Sequence, residues 1–374
     1  MTKTIFLKES YKRLIKPVLF NIDPENIHDC MGLASNFVQN IDLMNNIIEP
    51  IFKIDSNFLR QKINNIEFSN PIGIAAGFDY EAKFCKTLKS LGFGFNTIGT
   101  VTARYYEGNP KPRLIRLPKS KSILVNKGFK SPGIDNILQK IDNLKFNHDQ
   151  ALGLSIGSSN IDDIDTIDKA IEDYIISFKK AKDKGYIKYF ELNISCPNTR
   201  LKENFGEFKH LESLLIEINK FNIKKPIYIK LANDLSIDRL NEQLELSIKY
   251  NIKGAILSNL LKDRSHKSFD VNEINGVMNN KGNFSGKPVS ENANRLIKHA
   301  YKNYGKDILI IGCGGIFDAV DAYEKIKSGA SLVQLITGMI YEGPQIALEI
   351  NEGLIKLLKK DGFKNISEAV GIET

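Results

Sequence analysis

Phe190-Glu191-Leu192-Asn193-Ile194-Ser195-Cys196-Pro197-Asn198-Thr199 is the stretch on which the reading of this chain turns. With Tyr189 ahead of it, Phe190, Leu192 and Ile194 are the aromatic and branched residues that suit a buried pleated strand. Pro197 has no N–H to give to a ladder, so pairing should end there. One strand end thus delivers two carboxamides, a hydroxyl and a thiol. Carboxamides both donate and accept, so Asn193 and Asn198 suit a planar ligand with alternating N–H and C=O groups. A thiol between them can carry a proton or act as a nucleophile. The same letters also fit an ordinary strand end, with Asn capping a turn and Cys buried as a small apolar residue.

Working outward, similar apolar runs occur at Ile72–Gly77, Phe93–Gly99, Ala151–Ile156, Ile227–Leu231, Gly254–Leu257, Ile308–Gly312 and Leu332–Ile336. With Tyr189–Ile194 they make eight strand candidates. Helical patterns separate most of them, at Ile167–Lys182, Leu211–Phe221, Ile237–Tyr250, Asn292–Tyr304 and Ala319–Ser328. Near-continuous apolar strands alternating with helices mean a parallel sheet covered on both faces. Eight such units predict an α/β fold closed as a (β/α)8 TIM barrel, with a doubly wound open sheet as the alternative.

A barrel of this kind keeps its reactive groups at the carboxyl ends of its strands. Those ends read Ala75-Ala76-Gly77-Phe78-Asp79, Gly99-Thr100-Val101-Thr102, Ser155-Ile156-Gly157, Asn193 to Asn198, Lys230, Ser258-Asn259, Cys313-Gly314-Gly315 and Thr337-Gly338. Gly314-Gly315 and Thr337-Gly338 put bare backbone N–H groups where barrels commonly hold phosphate. Lys230, at the mouth of an apolar strand, needs an anion if the mouth is closed, or else snorkels to solvent.

Composition narrows the class. An apolar fraction of 42% and a charged fraction of 26% describe a soluble globular protein. Cys30, Cys85, Cys196 and Cys313 have no CxxC spacing, which argues against a metal knuckle or disulfide scaffold. No metal site is expected. The net charge of +8 is spread over Lys-rich helices with matching acids, which reads as a solvated surface and not a nucleic-acid footprint. Charges run through Met1 to Lys16, so no signal peptide is expected, and no apolar run reaches the roughly 20 residues needed to span a bilayer. Ile5 to Lys16 reads as a short basic amphipathic helix stopped by Pro17. A second helix starts with Asp23 as cap and Pro24 at its first position, with Ile27, Met31, Ala34 and Phe37 or Val38 as its apolar face. The pair could lie on a membrane surface or cover a barrel end, and covering is the expectation. The division expected is residues 1–45 as a helical extension and 46–374 as the barrel.

Together these segments resemble dihydroorotate dehydrogenase, an FMN-containing (β/α)8 barrel of pyrimidine synthesis. The matching text is Asn70-Pro-Ile-Gly-Ile-Ala-Ala-Gly-Phe-Asp79, Gly92-Phe-Gly-Phe-Asn-Thr-Ile-Gly-Thr-Val-Thr102, Glu107-Gly-Asn-Pro-Lys-Pro-Arg113 and Asn126-Lys-Gly-Phe129. It continues in Asn193-Ile-Ser-Cys-Pro-Asn-Thr199, Lys230-Leu-Ala232, Ser285-Gly-Lys-Pro288, Ile311-Gly-Cys-Gly-Gly-Ile316 and Gly329-Ala-Ser-Leu-Val-Gln334. The resemblance implies FMN held by Ala76, Gly77, Thr100, Ser155, Asn193, Lys230, Ser258, Gly286, Gly314, Gly315, Thr337 and Gly338. It implies the orotate ring held by Asn126, Gly128, Phe129, Asn193, Asn198 and Asn259. It gives Cys196 the role of base at C5 of dihydroorotate, with the C6 hydride passing to the flavin and Lys230 stabilising the reduced flavin. A modest downward shift of the thiol, supplied by Lys230 or neighbouring donors, would make that base usable at neutral pH.

Asp23-Pro24-Glu25 and His28 are similar to the membrane-associated, quinone-using class, where two helices and the barrel enclose a quinone tunnel. His28 and Arg116 match its polar tunnel positions, which implies a quinone as acceptor and a cytoplasmic protein in peripheral contact with the inner face of the cell membrane. Cys196, however, belongs to the soluble class; the quinone class has serine there. The lysine expected after Gly-Phe-Asp is Tyr80, with Lys83 a substitute one helical turn on. Ser155, Leu260 and Ile336 replace an expected Asn, hydroxyl residue and tyrosine. These departures leave fumarate or NAD open as acceptor. Two other classes compete: a non-redox phosphate-binding barrel lyase or isomerase using Lys230 or Cys196, and a membrane-surface protein with no catalysis.

Overall fold

The computed structural model describes residues 3–144, 150–200 and 205–374. Eight strands close into a barrel: β1 (Ile72–Asp79), β2 (Phe95–Val101), β3 (Ala151–Ile156), β4 (Tyr189–Asn193), β5 (Ile227–Leu231), β6 (Gly254–Leu257), β7 (Leu309–Cys313) and β8 (Leu332–Leu335). Each is parallel to the next, and β8 pairs with β1. The apolar runs are continuous because both faces of each strand are covered. One set of side chains, including Leu152, Leu154, Phe190, Leu192 and Ile229, meets the outer helices. The other set, Ala75, Phe95, Ala151, Tyr189, Tyr228, Ile256 and Ile311, fills the barrel interior. Gly73 and Gly153 leave room for that filling, since a Cβ on either would lie 2.2–2.3 Å from the Phe95 or Tyr189 ring. A hairpin, Gln61–Ile63 with Ile66–Phe68, closes the amino end and adds Phe68 to this inner core. Its turn residues Asn64 and Asn65 both have positive φ, which Asn tolerates. With that end plugged, the barrel interior opens at its carboxyl end.

Over the open end lies a three-stranded antiparallel sheet of Leu114–Leu117, Ser122–Val125 and Asn283–Gly286. The N-terminal helices lean on it. Glu25 is the clamp: its buried carboxylate takes Arg113 at 3.0 Å, Lys130 at 3.6 Å and Lys111 at 3.9 Å.

Three expectations about the extension change. The first helix does not stop at Pro17; Lys3–Ser10 passes through a π-helical stretch, Tyr11–Ile15, into Lys16–Phe20. The wider turn, with Lys16 N–H bonded to Tyr11 C=O, puts Pro17 in the first turn of the following segment, where its missing N–H costs nothing. The second helix, Pro24–Val38, is largely inverted, with Ile27 and Val38 left half-buried. Glu25, Gly32 and Ser35 face inward, while Met31, Leu33 (66% exposed), Ala34 and Phe37 (69% exposed) face out. The inward face can be polar because each group is met: Ser35 donates to Lys83 O and accepts from the Thr87 hydroxyl, and Glu25 has its three cations. Finally, the 45/46 boundary falls inside a third helix, Asp42–Phe52, so the extension runs into the barrel without a linker there.

Candidate active site

The strand tips converge as their order around the barrel requires. Gly314 and Gly315 follow β7 with φ of +89° and +72°, a conformation that glycine adopts without strain. Beside them, a Cβ on Gly338 would come within 2.0 Å of Ile316 O, and one on Gly286 within 2.2 Å of Lys121 O. With Ser258, Ser285, Thr337, Ala76 and Lys230 these glycines line a cup of about 490 Å³. Asn233 steadies the cup by donating to Ser258 Oγ at 2.6 Å and Val289 O at 3.1 Å.

Across Ala76, Lys230, Asn259 and Thr337 the cup adjoins a larger cavity of about 960 Å³. Gly77, Thr100, Gly128, Phe129, Asn193, Cys196 and Asn198 line it on the strand tips and the loops beside them, together with His28 of the N-terminal helices, Leu114 and Ile123 of the three-stranded sheet, and Ile340. Asn193 donates to Thr100 Oγ1 at 2.7 Å, and Thr100 meets Ser155 Oγ at 3.0 Å. Asn259 donates to Ser195 Oγ at 2.9 Å, and Asn198 to Val125 O at 3.0 Å. The amides are thereby aimed, each keeping hydrogen-bonding capacity for a ligand.

Lys230 is buried, 4% exposed, and has neither an ion pair nor a hydrogen bond among the described residues. A buried ammonium in that state calls for an anion. The cup would suit a phosphate and this ammonium the charge of a reduced ring, which together fit a phosphate-bearing flavin, while the amides of the larger cavity would face a flat substrate beside it.

Cys196 lies on the wall between this cavity and a second one of about 460 Å³ lined by Ser158, Asn160, Tyr174 and Thr199. Its thiol is pushed up to about 11 by burial, against the Asn198 N–H and the Lys230 charge, which both pull down. The expected downward shift is therefore overturned: losing hydration outweighs the attraction of Lys230. His28 donates through Nε2 to Phe78 O at 2.7 Å, and burial lowers it to about 4, so the imidazole is neutral.

Some expected residues stand back from the wall. Ser155 acts through Thr100. Asn126 turns to accept from Asn109 at 3.0 Å. Arg116 lies farther out, donating to Ile22 O at 2.8 Å with its guanidinium 4.7 Å from the Phe20 ring centre. Lys83 does not replace a lysine at position 80; it pairs with Glu81. Residues not singled out from sequence also matter. Asn109 joins Asn126 to the Asn198 carbonyl at 3.0 Å, and Lys127 lines the cavity with its Nζ 3.9 Å over the Tyr80 ring. Asn109 lay in plain view inside the Glu107–Arg113 motif; nothing in the spacing could aim Lys127.

Residues 58–358 match the family model described as dihydroorotate dehydrogenase. The chain belongs to the dihydroorotate dehydrogenase family. It is similar to a Nostoc punctiforme protein named dihydroorotate dehydrogenase (quinone), 35% identical over 97% of this chain and 98% of that one. A Christiangramia forsetii protein of the same name is 36% identical over 92% and 99%. Among solved structures, an Eimeria tenella dihydroorotate dehydrogenase crystallised with ferulenol superposes with a TM-score of 0.81 at 26% identity, covering 94% of this chain and 96% of that one. Membership of the dihydroorotate dehydrogenase family sets aside both the non-redox barrel and the non-catalytic membrane protein. It also makes the tip residues above the places to look for dihydroorotate dehydrogenase chemistry.

Proposed function

We propose that this chain oxidises dihydroorotate to orotate for pyrimidine synthesis, with FMN as cofactor and a quinone as the next acceptor. The observation that carries this reading is a pair of adjoining cavities that share Ala76, Lys230, Asn259 and Thr337 as walls. One is the glycine cup; the other is lined by Cys196 with Asn193, Asn198 and Asn259, and reaches His28 of the N-terminal helices.

Bound FMN supplies hydride acceptance from C6 of the substrate. The chain supplies the rest. Asn193, Asn198 and Asn259 present donors and acceptors to the N–H and C=O edges of the pyrimidine, holding the ring flat. Cys196 as thiolate takes the C5 proton onto its sulfur. Lys230 stands where negative charge accumulates, in a site from which water is largely excluded. Gly314, Gly315, Gly338 and the hydroxyl of Thr337 receive the phosphate.

The apolar lining of Leu114, Ile123, Val125 and Ile340, with neutral His28, suits the head of a quinone. Leu14 (70% exposed), Val18 (62% exposed), Leu33 and Phe37 point outward from the same helices, which supports peripheral contact with a bilayer surface. No helix of the described residues is long and apolar enough to cross a membrane.

The test is reoxidation of dihydroorotate-reduced protein by a ubiquinone or menaquinone analogue, compared with fumarate and NAD. Quinone is expected to be the fastest acceptor, and deletion of residues 1–40 to remove that advantage. Fumarate turnover that is faster and indifferent to the deletion would rule out the quinone reading and favour the soluble-acceptor role that Cys196 suggests.

A further inference from the structure

Lys127 is a cation without an assigned use. It follows Asn126 at the end of Ser122–Val125 and lines the large cavity with Cys196 and Asn198. Gly128 and Phe129, at φ of +64° and +65°, form the turn that follows. A Cβ on Gly128 would meet the Asn109 side chain at 2.5 Å, so the turn is packed tight. The Lys127 carbonyl accepts from Asn109 N–H at 3.1 Å, which ties the loop to the same asparagine that holds Asn198.

The ammonium is equally well seated. It lies 3.9 Å from the centre of the Tyr80 ring. The His28 ring also stacks on Tyr80, at 5.2 Å and 15°. Yet no ion pair reaches Lys127 among the described residues, although Glu25, Asp29 and Glu81 stand near enough to favour its charge. Glu25 takes Arg113, Lys130 and Lys111, and Glu81 takes Lys83. Burial lowers Lys127 to about 7; Glu25 opposes the shift and Lys130 adds to it. An anion placed beside it would restore the charged form.

Two unpaired cations therefore face one cavity, and their positions divide their work. Lys230 lines both the glycine cup and the larger space; Lys127 lines the larger space alone, with its ammonium over the Tyr80 ring. We propose that Lys127, seated on the Tyr80 ring, binds the carboxylate of dihydroorotate and orotate, and so selects an acidic pyrimidine over a neutral one. This rests on the reaction proposed above. It assigns to Tyr80 the role of a positioning residue: the phenol ring seats the ammonium and touches no reacting atom.

The test compares binding of orotate and of its methyl ester to the flavin-loaded protein, followed by flavin absorbance. Wild type should prefer the free acid by about 10–100-fold, the size of one charge-assisted hydrogen bond. Lys127→Met and Lys127→Gln should reduce that preference to about threefold or less, with Lys127→Arg restoring much of it. For turnover of dihydroorotate, KM should carry most of the loss and kcat less. The ratio of the two ligands cancels any general damage to the site, and the two neutral variants guard against one of them folding poorly. A preference unchanged in both neutral variants overturns the role of Lys127 alone. Failure of wild type to bind orotate at all overturns the reaction with it.

Discussion

Cys196→Ala is expected to slow reduction of the bound flavin by dihydroorotate about 10²–10⁴-fold, the usual worth of a positioned base. Orotate affinity should move far less, since the amides that hold the ring are untouched. Stopped-flow bleaching of the flavin under anaerobic conditions measures the first, and a spectral titration the second. The thiol carries a pH signature as well. The working form is the thiolate, and burial lifts its pKa to about 11. The reduction rate of wild type should then climb about tenfold per pH unit through the neutral and alkaline range, flattening only near that value. Bound substrate and flavin can shift the plateau but not the direction of the slope. A rate independent of pH, with the alanine variant as fast as wild type, would remove Cys196 from the reaction.

Lys230→Met should produce the second large effect, and it should separate activity from stability. Removing one preorganised charge from a water-poor site costs about 10²–10³-fold in rate, so dihydroorotate should bleach the variant that much more slowly. The flavin-free variant, by contrast, should melt no lower than flavin-free wild type. Met has nearly the same reach, and it replaces a buried ammonium that has no ion-pair partner among the described residues. The protein holds this charge at a cost to its own stability so that it is present when negative charge arrives. Normal bleaching together with a lower melting temperature would mean that Lys230 is a structural residue.

The barrel was legible because its strands announce themselves. Phe190, Leu192 and Ile229 are apolar in sequence for the reason that they are buried in space, and periodicity records burial directly. The glycine cup was legible for a related reason: Gly314 and Gly338 follow strand ends, and ends are visible as endings. The inverted helix was not. Periodicity places Met31 and Phe37 on one face but cannot say which way that face points. Here the polar side found Arg113, Lys83 and Thr87 to pair with, and so took the inside. The sign of the Cys196 shift was hidden as well, because desolvation depends on walls contributed by distant segments such as Phe129 and Tyr174. Lys127 was hidden for a simpler reason: a lysine in a loop has no period, and only the Tyr80 ring beneath it fixes where it points.

The inverted extension has a consequence for how the protein behaves in a tube. Leu14, Val18, Leu33 and Phe37 give the extension exposed apolar facets, carried by helices that are clamped to the rest through charges, Lys12 to Glu342 and Glu25 to Arg113. In plain buffer such facets find each other, and light scattering should show concentration-dependent clusters. Mild detergent micelles should disperse them without loosening Glu25 or Glu342 from their cations, leaving a yellow particle of a single size.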